Sequence, residues 1–168
     1  MLLIWGLILT ASLLCATESI ARLEKLPLVG SRLNVPKPAI SVGLCMVSPG
    51  QMDKCFRAEV LGVQYTVAFR RKAKFRKPVV TYVHTTDPGF LSPSGKRVGD
   101  LLEVSYPQIV KAPGFEIYAG GPVGGWTAVI GFDGKVASGS RDEDRVDLET
   151  FSERSGPLRL RVTGFTAR

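Results

Sequence analysis

Residues 79–107 read VVTYVHTTDPGFLSPSGKRVGDLLEVSYP, and residues 108–132 continue QIVKAPGFEIYAGGPVGGWTAVIGF. The first seven residues are rich in β-branched side chains, which favour a strand. The following residues are dense in Gly, Pro and Ser and predict a loop. We expect a strand, this loop, a short helix and then two further strands, the last one over residues 126–132.

The short helix is predicted from its end signals. Asp100 can cap the N-terminus, and Glu103 stands at the capping-box position three residues later. Pro107 ends the helix, and its inward face is formed by Leu101, Leu102, Val104 and Tyr106. Beyond it, residues 115–119 and 126–132 are predicted strands, and Asp133-Gly134 indicates a hairpin.

The flanking segments follow the same kind of pattern. Residues 48–51 (SPGQ) resemble a helix start, and the spacing of Met52, Cys55 and Phe56 gives that helix an inward face. Residues 60–69 alternate in polarity as a strand does, and residues 158–165 close the chain as another. The sequence therefore predicts an α+β fold, a mostly antiparallel β-sheet with two short helices.

The composition is that of one globular domain: 168 residues, 45% hydrophobic and 22% charged. Residues 1–21 predict a signal peptide or an N-terminal anchor, because an uncharged apolar block is followed by small residues before Arg22. A buried first helix in a cytosolic protein is the remaining alternative. Residues 22–38 are expected to be an extended Pro-containing leader, and residues 39–168 a single α+β domain.

Export makes the cysteines informative. Cys45 and Cys55 would be the two left after signal removal, and such a pair in an oxidising compartment predicts a disulfide. Two separate buried thiols are the alternative. Two cysteines and one distant histidine do not form a metal-ligand set, so no metal is expected.

The positive charge is concentrated in one place, which we call the basic run (residues 70–77, RRKAKFRK). From Arg22 onward the chain carries 22 basic and 14 acidic residues, a net charge of +8, and +2 without this run. Such a run must be exposed. Its six cations are candidates for anion binding: Arg70, Arg71, Lys72, Lys74, Arg76 and Lys77. A solvated loop that aids solubility is the alternative.

Catalytic residues are few. His84 is the one histidine, so a Ser–His–Asp triad would need it, with Ser92 or Ser94 and Asp87. No nucleophile-elbow motif surrounds these residues, and an ordinary polar residue at a strand end is the simpler interpretation of His84.

Carboxylates and phosphate motifs point to no defined activity. Glu103 and Glu116 are the candidate pair for glycoside hydrolysis. Asp142, Asp144 and Asp147 could ligate Ca²⁺, but the segment lacks the spacing of an EF-hand loop. No phosphate-cradling motif follows the glycines at 120–125. No catalytic residue and no cofactor is therefore predicted.

The region from Thr86 to Gly134 resembles a family of exported bacterial cell-envelope proteins of unknown function. The similarity lies in a Gly/Pro turn, the GKRVG sequence at 95–99, a helix ending at Tyr106-Pro107 and a Gly/Trp-bearing hairpin. These residues are structural, and no site residue carries over. The resemblance implies export and an α+β fold.

We therefore expect an exported protein, periplasmic or secreted, that binds an anionic envelope surface or an acidic protein partner through the basic run. Nucleic acid is a less suitable partner, because no fold signature for it is present. An envelope hydrolase that uses His84 is one alternative. A structural or assembly subunit, held at the membrane by the N-terminal segment, is the other.

Overall fold

The computed structural model describes residues 20–34, 42–71, 73, 77–139, 145–149 and 156–168, and these residues are mostly β-sheet. Strands account for 54% of the structure. Within the described residues there is one 3-10 turn and no helix of seven or more residues. The expected α+β fold with two short helices is therefore wrong.

Thirteen strands occur in the described part of the chain. They are β1 (Ala21–Arg22), β2 (Gly43–Ser48), β3 (Gln51–Val60), β4 (Val63–Arg70), β5 (Val79–Thr85), β6 (Leu101–Val104), β7 (Ile109–Val110), β8 (Glu116–Val123), β9 (Trp126–Phe132), β10 (Lys135–Val136), β11 (Val146–Asp147), β12 (Leu158–Arg161) and β13 (Gly164–Ala167). The 3-10 turn spans Tyr106–Gln108.

Eleven of these strands form one sheet. Its path runs β1-β3-β4-β5-β13-β9-β10-β11, with β2 beside β3 and with β8 between β7 and β9. Strand β1 pairs with β3 in parallel, and the other named pairs are antiparallel. Strands β6 and β12 form a separate two-stranded sheet.

Two apolar clusters hold these sheets together. The larger one lies on one face of β3, β4, β5 and β13 and includes Phe56, Val67, Val83 and Phe165. The second cluster joins β8 and β9 to β12, through residues such as Ile130 and Leu160. Leu102 of β6 packs against both clusters, so the small sheet covers the junction between them.

The first predicted helix is a β-hairpin. Pro49-Gly50 forms its turn between β2 and β3, and Gly50 has a φ of 70°. Proline followed by a glycine of positive φ is the sequence of a type II turn. The helical spacing misled because β3 is buried on both faces: Phe56 packs in the larger cluster, whereas Cys55 packs on the opposite face.

The second predicted helix is strand β6 followed by the 3-10 turn. Asp100 does not cap a helix: its Oδ2 accepts a hydrogen bond from the Arg97 backbone N–H, 2.8 Å away, and closes a turn. The capping-box geometry exists instead at Ser105 and Gln108. Four residues of β6 pair with β12, and this non-local pairing outweighs the local helix signals.

Several strand predictions are confirmed. Residues 79–85 and 126–132 are β5 and β9 with the predicted bounds, and Asp133-Gly134 turns the chain into β10 with both φ values positive. The predicted strand at 60–69 contains an unexpected turn at Leu61-Gly62, where β3 ends before β4 begins. Residues 158–165 divide between β12 and β13.

Residues 1–19 of the predicted signal or anchor segment lie outside the described residues. Part of the predicted leader packs on the sheet, since Arg22 pairs with Glu59 of β3 and Leu33 is buried in the larger cluster. Ala21, the last residue of the predicted signal or anchor segment, is buried there as well. Among the described residues, no helix has the length and apolarity needed to span a membrane.

Candidate functional site

The basic run joins two neighbouring strands at one end of the sheet. Strand β4 ends at Arg70 and β5 begins at Val79, and these two residues face each other in the antiparallel register. Arg70, Arg71 and Lys77 belong to the described residues. Lys72, Lys74 and Arg76 lie outside the described residues.

Arg70 is held by a buried acid. Its Nη2 lies 2.6 Å from Asp53 Oδ1, and its Nε donates to the same oxygen at 2.7 Å. The other carboxylate oxygen accepts a hydrogen bond from Thr81 Oγ1 at 2.7 Å. Asp53 is only 4% exposed. Arg70 is therefore committed to the sheet and is less available to an external anion than its neighbours.

The other two described cations lie further out. Lys77 Nζ donates a 2.6 Å hydrogen bond to Asn34 Oδ1 at the surface, so the end of the basic run contacts the N-terminal segment. Arg71 is exposed. Both side chains are exposed, so they can reach an anion at the surface more readily than Arg70 can.

An apolar patch lies beside the basic run, on the β2–β3 hairpin. It consists of Leu44, Met46 and Met52, which are 67%, 38% and 50% exposed. Met46 and Met52 are directly opposed across the hairpin. A cleft of about 620 Å³ is lined by Leu44, Met52 and Arg71, so the apolar patch and the cationic residues share one surface.

The hairpin that carries this patch is cross-linked. Cys45 of β2 and Cys55 of β3 form a disulfide with a Cα–Cα distance of 5.8 Å, as the sequence predicts. The bond lies on the face opposite the patch, against Val47, Ala68 and Tyr82. It contributes about 2–3 kcal/mol in the chain-entropy model and fixes the hairpin in place.

A second concentration of polar groups, the carboxylate cluster, surrounds Glu116 of β8. Glu116 Oε1 accepts a 2.6 Å hydrogen bond from the Tyr82 hydroxyl, and Oε2 accepts one of 2.8 Å from the Tyr118 hydroxyl. Arg168 Nη2 lies 3.5 Å from Oε2. His84 Nδ1 lies 2.9 Å from Oε1, yet it is buried without a hydrogen bond of acceptable geometry. His84 and Glu116 are therefore in close contact without a hydrogen bond between them.

The surroundings of Tyr82 in the carboxylate cluster favour its neutral form. Burial, and then the negative charge of Glu116, raise the pKa of Tyr82 above its ordinary value. Burial also lowers the pKa of Arg168, while Glu116 acts in the opposite sense. The Arg168 guanidinium lies 4.6 Å from the Tyr118 ring centroid and 4.7 Å from that of Phe115, within the range of cation–π contacts.

Two clefts flank the carboxylate cluster. The His84 cleft, of about 340 Å³, is lined by polar residues that include Arg57, Thr66 and Asp87. The Arg168 cleft, of about 400 Å³, lies on the other side. Register explains this arrangement, since Thr66 and Thr166 both oppose His84 on the strands to either side of it.

The triad considered as an alternative for His84 is not assembled. Ser92 Oγ lies 2.9 Å from Ser94 Oγ and accepts the Lys96 backbone N–H, and neither serine lines the His84 cleft. Asp87 does line it, but its carboxylate accepts hydrogen bonds from the backbone N–H groups of Gln64 and Gly89. The acid that approaches His84 is Glu116.

The remaining acidic candidates are also separated. Glu103 faces Arg159 across the β6–β12 pair, whereas Glu116 is buried in the carboxylate cluster. Asp142 and Asp144 lie outside the described residues, and Asp147 Oδ1 accepts the backbone N–H of Glu149. Within the described chain, no group of three His, Cys, Asp or Glu residues is placed to hold a metal ion.

The carboxylate cluster and the apolar patch are not predicted from the sequence. The cluster joins β5 and β8 to Arg168, which are far apart in the chain, and no local motif marks it. The patch lies on a single hairpin, whose second strand the sequence predicts as a helix. Comparison with protein-family models, curated proteins and solved structures found no match. The geometry of these surfaces is therefore the basis for any functional proposal.

Proposed function

We propose that this protein is exported and binds an anionic lipid surface through the basic run and the adjoining apolar patch. The observation that carries the proposal is the common cleft lined by Leu44, Met52 and Arg71. Cationic groups attract acidic headgroups, and apolar side chains beside them enter the headgroup region. The apolar patch favours a lipid surface over an acidic protein or a polysaccharide, which offers it less apolar contact.

The chemistry of the surface divides the work between two groups. Each cation near an acidic bilayer contributes about 1 kcal/mol, and this contribution falls within a Debye length of about 8–10 Å. The patch residues contribute by burial of apolar area, which salt does not weaken. Binding should therefore be salt-sensitive without vanishing at high salt.

Export of the chain rests on two supports. The apolar block at residues 1–16 has the length of a signal-peptide core, and the Cys45–Cys55 disulfide suits an oxidising compartment. Fractionation of cells that make the native protein, followed by mass spectrometry of its N-terminus, tests this part. A reduced, full-length protein in the cytosol contradicts it.

The binding test compares vesicles of neutral phosphatidylcholine with vesicles that contain acidic phosphatidylglycerol. We expect flotation with the acidic vesicles at low salt and weaker flotation at high salt. The triple variant Leu44→Gln, Met46→Gln and Met52→Gln should lose the vesicle binding that persists at high salt. Its matched control replaces three exposed leucines outside the patch, Leu28, Leu61 and Leu91, with Gln. Equal effects of the two variants, or equal binding to both vesicle types, contradict the proposal.

A second candidate function, hydrolysis, is favoured by one observation. His84 lines a cleft, and its Nδ1 lies 2.9 Å from Glu116 Oε1. A carboxylate at this distance can form the hydrogen bond that orients a general base once substrate is bound. Assays with ester and phosphoester substrates test it. Activity that is lost in His84→Asn supports this function, and unchanged activity in that variant excludes it.

A further inference from the structure

The Arg168 cleft has the features of a small-molecule site. Its volume of about 400 Å³ falls within the range that ligand pockets occupy. Val110, Pro122 and the ring of Tyr118 supply apolar walls, while Thr127, Thr166 and Arg168 supply polar groups. An apolar cavity with a few convergent polar groups is the usual composition of a site for a small organic ligand.

Glycines keep this cleft open. Gly120, Gly121 and Gly125 form part of its wall, and a Cβ added at any of them would meet no heavy atom within 4 Å. Each of these positions therefore has room for a side chain that the sequence does not supply. The β8–β9 hairpin presents backbone there in place of side chains.

Arg168 is the charged residue that lines the cleft. The central carbon of its guanidinium lies 4.7 Å from the ring centroid of Phe115 and 4.6 Å from that of Tyr118. Among the described residues, Arg168 makes one side-chain hydrogen bond, which it donates to Glu116 over 3.5 Å. Glu116 accepts two shorter hydrogen bonds, from the hydroxyls of Tyr82 and Tyr118. A guanidinium has five N–H donors, so several remain for a planar anion.

Thr127 provides a further donor beside the guanidinium. It is paired with Thr166 across β9 and β13, so both side chains lie on the face of the sheet where the Arg168 cleft is. The Thr166 hydroxyl donates to the Val83 carbonyl oxygen at 3.3 Å. The Thr127 hydroxyl has no such bond within the described residues and can donate to a bound anion.

We propose that the Arg168 cleft binds a small monocarboxylate with a short apolar body. Arg168 binds the carboxylate in a bidentate manner, Thr127 adds a hydrogen bond, and the apolar body lies against Val110 and Pro122. A phosphate ester carries more charge, and the nearby Glu116 carboxylate opposes it. A neutral ligand leaves the guanidinium donors unpaired.

The direct test uses phenylacetate and hexanoate as probes, with phenylacetamide and hexanamide as neutral partners. Binding is followed by amide chemical shifts of the full chain. We expect the acids to bind with a Kd of about 10 mM or tighter, as a ligand of about ten heavy atoms should. The shifts should centre on Gly120, Gly121 and Thr127, and the amides should bind about tenfold more weakly or worse. Equal binding of acids and amides, shifts at the basic run alone, or no shifts, each overturn the proposal.

Variants that are expected to change affinity in opposite directions distinguish an effect on binding from an effect on folding. Arg168→Met should weaken phenylacetate binding about tenfold or more, and Thr127→Val about threefold. Glu116→Gln should strengthen binding about threefold to tenfold, because it removes a negative charge near the ligand. Arg159→Met, on the separate β6–β12 sheet, is the control that should change nothing. Unchanged affinity in Arg168→Met, or weaker binding in a folded Glu116→Gln variant, contradicts the assignment.

Discussion

Arg70 and Asp53 form a hydrogen-bonded ion pair that joins the start of the basic run to the neighbouring strand β3. Two guanidinium nitrogens lie 2.6 and 2.7 Å from a single carboxylate oxygen, and Thr81 binds the other oxygen. The carboxylate is buried, whereas the arginine side chain is 43% exposed. Arg70 therefore positions the basic run, and the cations after it are the ones available for binding.

Because Asp53 is buried and Arg70 is partly exposed, removing one partner should not cost the same stability as removing the other. Asp53→Asn leaves a partly hydrated arginine and should cost about 1–2 kcal/mol. Arg70→Met leaves a buried carboxylate without its cation and should cost about 2 kcal/mol or more. The double variant should recover part of the second loss. Urea unfolding measures all three, with the exposed pair Arg22–Glu59 as a control through Glu59→Gln. A larger loss in Asp53→Asn than in Arg70→Met contradicts this account.

The disulfide should hold the apolar patch in place. Cys45→Ser with Cys55→Ser should lower the free energy of unfolding by about 2–3 kcal/mol. Hydrogen exchange should then rise first at β2, because this strand pairs only with β3 among the described strands. Urea unfolding and amide exchange of the oxidised and mutant proteins check this. Uniform exchange rates across β2 and β5 in the mutant would show that the bond has no local role.

A close backbone approach at Gly131 should make this position intolerant of any side chain. A Cβ there would lie 2.0 Å from the Lys135 carbonyl oxygen. Gly131→Ala should therefore cost about 3 kcal/mol by separating β9 from β10. Gly121→Ala meets no atom within 4 Å and should stay within about 1 kcal/mol of wild type. Thermal unfolding compares the two, and similar losses would contradict the register of this hairpin.

Tyr82 should impose a pH dependence at the alkaline end. Its pKa is raised in the folded state by burial and by Glu116, so the unfolded chain loses this proton first, near pH 10. Stability is full below that pH and falls as the pH rises above it, by about 1.4 kcal/mol per pH unit for one retained proton. Tyr82→Phe should flatten this decline, as measured by urea unfolding at about pH 8 and about pH 11. Equal declines in both proteins contradict the assignment.

Local signals determined how far the fold could be predicted from sequence. Strands β5 and β9 were predictable because β-branched residues and turn pairs such as Asp133-Gly134 act within a few residues. The two helix predictions failed for a non-local reason. Residues 48–56 and 100–106 carry real helix-start signals, but their pairing with β4 and β12 buries more apolar surface than an isolated short helix could.

The candidate surfaces show the same division between local and non-local information. The basic run is visible in the sequence because its charges are consecutive. The apolar patch is not, since Met52 was assigned to the inner face of a helix. The carboxylate cluster brings together β5, β8 and Arg168, and sequence spacing holds no record of that pairing. Asp87 was therefore the only acid considered as a partner of His84, and Glu116 was missed.

The central claim is that the basic run binds an anionic lipid surface. It is tested most directly by comparing how two variants, each of which loses five positive charges, float with acidic vesicles. One replaces the cations of the basic run with Gln and leaves Arg70 intact, at Arg71, Lys72, Lys74, Arg76 and Lys77. The other replaces five exposed cations elsewhere with Gln, at Lys25, Lys96, Lys135, Arg145 and Arg159. We predict that the first variant loses most of the salt-sensitive binding and that the second retains most of it. Equal losses in the two variants would show that net charge alone governs association and would contradict the account.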